Sequence, residues 1–439
     1  MQIEFTRDIE IRKDVDVCVV GGGPAGIASA IAAAKQGARV FIAEAHSCFG
    51  GMGTAGMVPA FMTFSDGVNV VASGIGSDIL QRLREAGGTG PDNDLAIKPE
   101  VLKRVYDEYV LEHNIDFLFQ TSFIAADCSG GEVNFAVFAA KSGIFAVKAK
   151  VFIDCTGDGD LAVIAGADYS IGDENGDLMP GTLCSAWDNV DWTALRACGK
   201  VPRDFLAEAF ADGIFRVNDP HHPGMWRIGE HWGGGNIGHT FGLDSTDEKS
   251  LTDALIEGRR QLPEFEYFYR NYVPGFENVE LMSSGSLLGI RESRRIIGDY
   301  VLNLQDFINC SSFEDEIGRY CYPVDIHISK PTSEHYAEFE KEHKAFCYKK
   351  GQSYGIPYRI LTSAKLKNVL VAGRCVSSDR YIQSSIRVMP GCFITGQAAG
   401  TAASIAANCD LDVHEVPLKE LQEKLVGIGA YLPDNRIVG

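Results

Sequence analysis

The chain has 439 residues, 45% of them hydrophobic and 23% charged, with 40 Lys and Arg against 59 Asp and Glu for a formal charge of -19. That length suffices for two or three domains with cores of their own, and the acidic balance argues against nucleic acid as a partner, because phosphate binding needs clustered Lys and Arg. No apolar run approaches a membrane span, the start Met1-Gln2-Ile3-Glu4-Phe5 is neither a basic leader nor an apolar signal core, and the twelve cysteines are scattered without a CxxC, which together predict a cytoplasmic protein with buried thiols and no structural disulfide.

The first elements carry the strongest signal. Asp16-Val17-Cys18-Val19-Val20 reads as a strand running into Gly21-Gly22-Gly23-Pro24-Ala25-Gly26, then a helix over Pro24–Gln36, a second strand over Ala38–Ala43 and an acid, Glu44. Gly21 permits a tight turn, Gly23 lets backbone approach a pyrophosphate, and Gly26 lets helix and strand pack closely. The helix N-terminus offers unpaired amides to the phosphates, Pro24 suits the first turn, and Glu44, followed by Ala45, suits the hydroxyls of an adenosine ribose. Small residues on the helix (Ala28, Ala32, Ala33) and Gly37 as its C-cap complete the context of a dinucleotide site.

Further along, Phe49-Gly50-Gly51-Met52-Gly53-Thr54 forms a glycine-rich loop, helices are expected over Gly76–Ala86 and Pro99–His113, and a strand over Ile115–Phe119. Val133–Ala139 and Ile144–Ala149 flank Lys141-Ser142-Gly143 as a hairpin, and Val151–Ile153 reads as a short buried strand before Asp154-Cys155-Thr156-Gly157-Asp158. From about Tyr169 to Gly355 aromatics, His and Pro become frequent and βα alternation is lost, as in an inserted domain. Val369–Val371 followed by Ala372-Gly373-Arg374 restores the earlier pattern, and Pro390–Ala407 is a long Ala- and Gly-rich helix whose small residues permit close packing. The division this predicts is 1–168 with 356–439 as one discontinuous nucleotide domain and 169–355 as an inserted substrate domain.

Taken together, Gly21–Glu44, Gly50-Gly51-Met52-Gly53-Thr54, Ile153–Asp160, Arg291-Glu292-Ser293-Arg294-Arg295, Ile356-Pro357-Tyr358-Arg359 and the run from Ala372-Gly373-Arg374-Cys375 to Gly396-Gln397-Ala398-Ala399-Gly400 resemble the bacterial FAD-dependent oxidoreductases of the glutathione-reductase-like two-dinucleotide-binding superfamily. The resemblance implies an α/β, Rossmann-like FAD-binding domain, a parallel sheet flanked by helices and a β-meander, with an inserted α+β domain. It implies that Gly21, Gly23, Pro24, Ala25 and Gly26 hold the FAD pyrophosphate and Glu44 and Ala45 the adenosine end. By the same resemblance, Gly51, Met52 and Thr54 line the ribityl stretch and one flavin face. Thr156, Gly157 and Asp158 belong to a turn in which Cys155 replaces the family's Ala. Gly373 and Arg374 lie beside the ribityl chain, and Met389 and Gly391 begin a helix whose positive end favours negative charge on the flavin. Between residues 160 and 360 no second GxGxxG is read between a strand and a helix, and no CxxxxC redox pair stands beside the flavin loop, which argues against a built-in nicotinamide domain and against a disulfide reductase.

The remaining candidates lie in the inserted region and near the flavin helix. Asp325 and His327, two apart in Tyr322-Pro323-Val324-Asp325-Ile326-His327, share one face if extended and suit a general base with an orienting carboxylate. Arg291, Arg294 and Arg295 form a basic cluster; on a helix Arg291 and Arg295 share a face, and Arg291, like Arg380 or Arg387, suits a substrate carboxylate, while pairing with Glu292 is the plainer role. Trp232, Asn236 and His239, in a run that begins near His221-His222-Pro223, together with Tyr354, suit a polar, ring-like substrate, although a packed glycine-rich loop accounts for the same residues. Cys392 stands at a helix start where a thiol pKa falls, but it has no partner cysteine. His335, His343 and Cys347 have the spacing of a helical face without amounting to a metal site, and no metal is expected. The reading is an FAD-dependent dehydrogenase that passes a hydride from a small hydroxyl- or amine-bearing substrate to flavin N5, served by an external electron acceptor. Its rivals are an ene-reductase fed by an external donor and a non-catalytic FAD electron-transfer subunit; the oligomeric state is left open.

Overall fold

The computed structural model describes residues 3–4, 6–219, 224–332 and 346–433. A parallel sheet organises the chain, with strands β1 (Glu10–Val20), β2 (Val40–Ala43), β3 (Asp116–Leu118) and β6 (Gly143–Asp154) in the order β3-β2-β1-β6 and the late strand β15 (Val369–Val371) paired to β6 on its far side. The apolar end of β1, Val17–Val20, is buried on both faces, as expected of a strand inside a parallel sheet. β4 (Ser122–Ser129) and β5 (Glu132–Ala140) join antiparallel to the N-terminal part of β6 and make the β-meander. The hairpin over Lys141 and Ser142 is present, but its second strand and the short strand expected at Val151–Ile153 are one continuous β6, because that strand serves the meander at one end and the parallel sheet at the other.

On one face of the sheet, helix α1 (Pro24–Lys35) lies against the long helix Met389–Cys409 at unusually short range. A Cβ at Gly396 would come within 2.3 Å of the Ala25 carbonyl oxygen, and one at Gly400 within 1.9 Å of that of Ser29. Ser29 Oγ donates to the Gly396 carbonyl at 3.0 Å, so the contact is hydrogen-bonded as well as close. The core on this side also takes in Leu302, Ile317, Tyr320, Tyr354 and Ile356. The opposite face buries Phe41, Phe138, Phe145 and Phe152 beneath the meander.

A third core, from Leu183 to Leu288, belongs to the insertion. There, β8 (Ser185–Asp188), β9 (Met225–Arg227), β10 (Gly233–Gly235) and β11 (Glu280–Ser284) form an antiparallel sheet in the order β11-β8-β10-β9, covered by the helix Glu248–Tyr272, whose N-cap Asp247 accepts from the Ser250 amide at 2.6 Å. The triple glycine of β10 is an inner strand rather than a loop. A side chain at Gly234 would meet Pro59 Cβ at 2.4 Å, and one at Gly235 would meet the buried Trp187 Nε1 at 3.0 Å, so neighbours already occupy both faces. This third core is shorter than the expected span 169–355, since residues from Leu302 onward pack with the parallel sheet. Among the described residues no helix is long and apolar enough to cross a membrane. All twelve cysteines are free thiols.

Candidate active site

The C-terminal edge of the parallel sheet opens into a cavity of about 1450 Å³. That exceeds the ~300–1,000 Å³ usual for one small ligand, and leaves room for a dinucleotide and a second molecule. Gly21 makes the turn at φ +96°, where a Cβ would lie 2.6 Å from the Cys155 carbonyl oxygen. A Cβ at Gly26 would reach 1.9 Å from the Gly21 carbonyl oxygen, whereas one at Gly23 meets nothing within 4 Å and would project into open space. The cavity therefore has the bare backbone cradle that a pyrophosphate requires, at the N-terminus of a 12-residue helix. Glu44 is buried beside it. Its Oε2 accepts from the Gly22 amide at 2.7 Å and its Oε1 from the His46 amide at 2.8 Å, which fixes the carboxylate and leaves each oxygen a further lone pair for a ribose hydroxyl.

Most of the residues expected around the cofactor meet on this wall. Gly21, Gly23, Pro24, Ala25, Glu44 and Ala45 line one end; Gly51, Met52, Thr156, Gly157 and Asp158 line the middle; Gly373, Arg374 and Met389 follow. Arg374 ties the turn together: its Nε donates to the Gly157 carbonyl at 2.9 Å, one terminal nitrogen to the Ile290 carbonyl at 2.9 Å, and the other to Asp158 Oδ1 at 2.7 Å. Gly26, Thr54 and Gly391 stand behind the wall instead. Thr54 Oγ1 caps the Phe49 carbonyl at 2.5 Å, and Gly391 packs on the Ile386 carbonyl. The helix Met389–Cys409 directs its N-terminus at the cavity, but burial pushes the Cys392 thiol up to about 12, so the helix end does not make it reactive.

At the far end five polar groups converge. Arg291, Tyr322, Asp325, His327 and Arg387 all line the cavity, joined by Asn236. The stretch from Arg291 to Arg294 is not helical, and Arg295 begins the two-residue strand β12 (Arg295–Ile296), so the expected shared helical face does not form. The plainer pairing is taken by others: Glu292, fully buried, receives Arg295 at 2.6 Å and Arg380 at 3.1 Å, while Arg294 pairs with Asp160 at 3.0 Å. Arg291 is left with neutral acceptors, the Pro180 carbonyl at 2.9 Å, Thr182 Oγ1 at 2.8 Å and Asn236 Oδ1 at 3.3 Å, and no carboxylate pairs with it among the described residues. Burial, aided by the nearby Arg387, pushes its pKa down to about 10, which still leaves it charged at neutral pH. Arg387 donates to the Asp325 carbonyl at 3.0 Å and lies 3.5 Å from Asp325 Oδ2, and its buried Nε has no hydrogen-bond partner among the described residues.

Asp325 and His327 are brought together as expected, with His327 Nε2 3.4 Å from Asp325 Oδ1, although their segment is not a regular strand. The Ser384 hydroxyl accepts from the Asp325 amide at 2.9 Å, and Tyr322 donates to Asp325 Oδ2 at 3.4 Å. Of the residues expected to hold substrate, Asn236 is on the wall. Trp232 is 41% exposed and off the wall, where Trp226 stands instead. Tyr354 is a core residue with its hydroxyl 3.0 Å from Ser385 Oγ. His239 lies one layer back, its Nε2 3.0 Å from His327 Nδ1 and its Nδ1 2.9 Å from Asp219 Oδ2. Asp219 carried no signal in the sequence. His221, His222, His335 and His343 lie outside the described residues.

Several solved structures are similar to the chain at low identity. A geranylgeranyl bacteriochlorophyll reductase-like protein of Thermoplasma acidophilum is 15% identical, with 97% of this chain and 90% of that one covered and a TM-score of 0.45. A p-nitrophenol 4-monooxygenase of Pseudomonas putida is 13% identical, with 95% and 85% covered and a TM-score of 0.44. A flavin-dependent brominase is 12% identical, with 94% and 83% covered and a TM-score of 0.46. No curated protein shows significant similarity to the sequence. The model of the FAD dependent oxidoreductase family matches residues 16–425. The chain belongs to that family of enzymes, and its cofactor is FAD.

Proposed function

We propose that the chain dehydrogenates a small substrate bearing a hydroxyl or amine on the carbon next to a carboxylate, a 2-hydroxy or 2-amino acid. The observation that carries this is the buried cluster at the far end of the cavity, with two guanidiniums, Arg291 and Arg387, beside the Asp325–His327 pair. Asp325 contacts Arg387, and among the described residues no carboxylate contacts Arg291, so a substrate anion would supply the opposite charge that Arg291 lacks. N–H groups of Arg291 beyond its three neutral acceptors, and the Nε of Arg387, are the donors available to it. A charge-assisted hydrogen bond of this kind contributes about 1.5–3 kcal/mol.

When bound, FAD supplies the two-electron acceptor. Gly21, Gly23 and the first turn of α1 would hold its pyrophosphate, Glu44 its ribose, and the N-terminus of Met389–Cys409 would favour the negative charge it gains. His327 then takes the substrate's O–H or N–H proton as the C–H bond gives up its electron pair. Its Nδ1 faces His239, so Nε2 is the cavity-side nitrogen, with Asp325 next to it to stabilise the imidazolium. The other GxGxxG stretches, Gly51–Gly56 and Gly233–Gly238, form a short turn and an antiparallel strand and do not open an α-helix, so on this reading electrons leave to an external acceptor.

The test is anaerobic titration of the flavin absorbance with glycolate, lactate, malate and their amino counterparts. Bleaching by one of these acids, and not by its uncharged amide, supports the reading. Bleaching by none of them, with full reduction by dithionite, would discard it in favour of the ene-reductase or the electron-transfer subunit.

A further inference from the structure

Behind His327 the polar contacts continue. His239 Nε2 lies 3.0 Å from His327 Nδ1, and His239 Nδ1 lies 2.9 Å from Asp219 Oδ2. The side chains of His239 and His327 are 1% and 4% exposed, so the pair is closed off from bulk water. Asp219 and His239 also line a separate recess of about 20 Å³, enough for one water molecule. Arg216, Glu257 and Glu264 form its rim, and the first two are half-exposed, which sets the recess at the protein surface. The row Asp325–His327–His239–Asp219 therefore crosses the wall between the main cavity and the surface.

We propose that this row is a proton path, by which the proton taken from substrate at His327 leaves the cavity for the recess. The inference rests on the reading of His327 as the base. His239 and Asp219 act through it, as positioning residues that also pass the proton. The tautomers follow from the contacts. If His327 Nε2 accepts from substrate, Nδ1 carries hydrogen and donates to His239 Nε2; His239 then carries its hydrogen at Nδ1, the nitrogen 2.9 Å from Asp219 Oδ2. One proton entering at His327 Nε2 moves one from His327 to His239 and one from His239 to Asp219, which releases it to water in the recess. The electron pair of the C–H bond goes to FAD as hydride, so the substrate loses two hydrogens in all. When an external acceptor of two hydrogens, of the quinone class, takes up the hydride equivalent, a proton re-enters from the recess, each ring hands one back, and the Nε2 proton of His327 passes to the acceptor, which restores both tautomers and carries off both hydrogens of the substrate.

The need for such a path is electrostatic. A proton held on His327 would add a third cation beside Arg291 and Arg387, in a buried place with one carboxylate of its own, Asp325. Among the described residues, other titratable groups near the two rings include Tyr322 in the cavity, Asp219 behind, and Arg216, Glu257 and Glu264 on the recess. Burial holds the His239 pKa below its ordinary value against the pull of Asp219, which keeps this ring neutral and able both to accept and to donate.

The experiment uses the holoenzyme labelled with 15N-histidine, and whichever of glycolate, lactate or malate reduces it. The path predicts a through-hydrogen-bond coupling between His239 Nε2 and His327 Nδ1, lost in His239→Gln. It predicts that His239→Gln and Asp219→Asn slow anaerobic flavin reduction roughly tenfold with KM unchanged, less than loss of the base itself. It also predicts a bowed dependence of the rate on deuterium fraction that becomes linear in both variants. Wild-type rates in both variants, with His327→Gln slow, would overturn the path and leave the base standing. Wild-type rates in His327→Gln as well would overturn both. Should the variants fail to fold, the wild-type deuterium dependence decides, bowed in favour and linear against.

Discussion

The two ends of the cavity are built by opposite means. The cofactor end is made of backbone and of residues close in sequence: Gly21 to Glu44 supplies the turn, the helix end and the carboxylate, and the Glu44 oxygens are fixed by the amides of Gly22 and His46. The far end is made of side chains from distant segments. Arg291 reaches Pro180, Thr182 and Asn236, and Arg387 reaches Asp325 across 62 positions. Steric exactness governs the first, since an added methyl at Gly21 or Gly26 has no room; charge balance governs the second, where Arg291 has no carboxylate in contact among the described residues. Substitutions at the two ends should therefore fail in different ways.

The largest effect is expected where backbone approaches backbone. Gly26→Val places carbon against the Gly21 carbonyl and should cost about 3 kcal/mol or more, with most of the flavin lost, read from the melting temperature and the absorbance of the purified protein. At the other end Arg291→Met should keep flavin bound and raise KM for the acid about 10- to 100-fold, with little change for the corresponding amide. Equal losses for acid and amide would remove the carboxylate from the assignment of this arginine. Trp226→Ala should raise KM a few-fold, by ~1 kcal/mol of lost contact, while the exposed Trp232→Ala leaves kinetics unchanged. The smallest effect concerns pH. Because burial lowers the His239 pKa in the folded protein, the unfolded chain binds the extra proton below about pH 6.5. This contribution to stability is complete above that pH and is lost as pH falls through the folded value. The melting temperature should drop more in the wild type than in His239→Gln over the same acid range.

The same contrast explains what the sequence made legible. The strand–turn–helix–strand–acid pattern is local, so it is readable as a unit, and the structure gathers its residues at one end of the cavity; the small residues of Met389–Cys409 announce the close contact that Gly396 and Gly400 make with α1. Asp325 and His327 are two residues apart and were readable as a pair. Long-range choices were not. Nothing local indicated that Glu292 would select Arg295 and Arg380 and leave Arg291 to the cavity, or that His239 would stand behind His327 rather than beside substrate. Asp219, in an irregular stretch with no pattern, acquires meaning only from the ring it meets. The glycines of β10 read as a loop because glycine usually weakens strands. Here they are required by Pro59 and Trp187 on either side.

The most direct measurement of the central claim is single-turnover flavin reduction, without oxygen, in the wild type and in His327→Gln at saturating acid substrate. If His327 takes the proton, the variant should bind FAD and substrate as the wild type does and reduce about 100-fold more slowly. Reduction at the wild-type rate would contradict the assignment of the base and, with it, the role given to this end of the cavity.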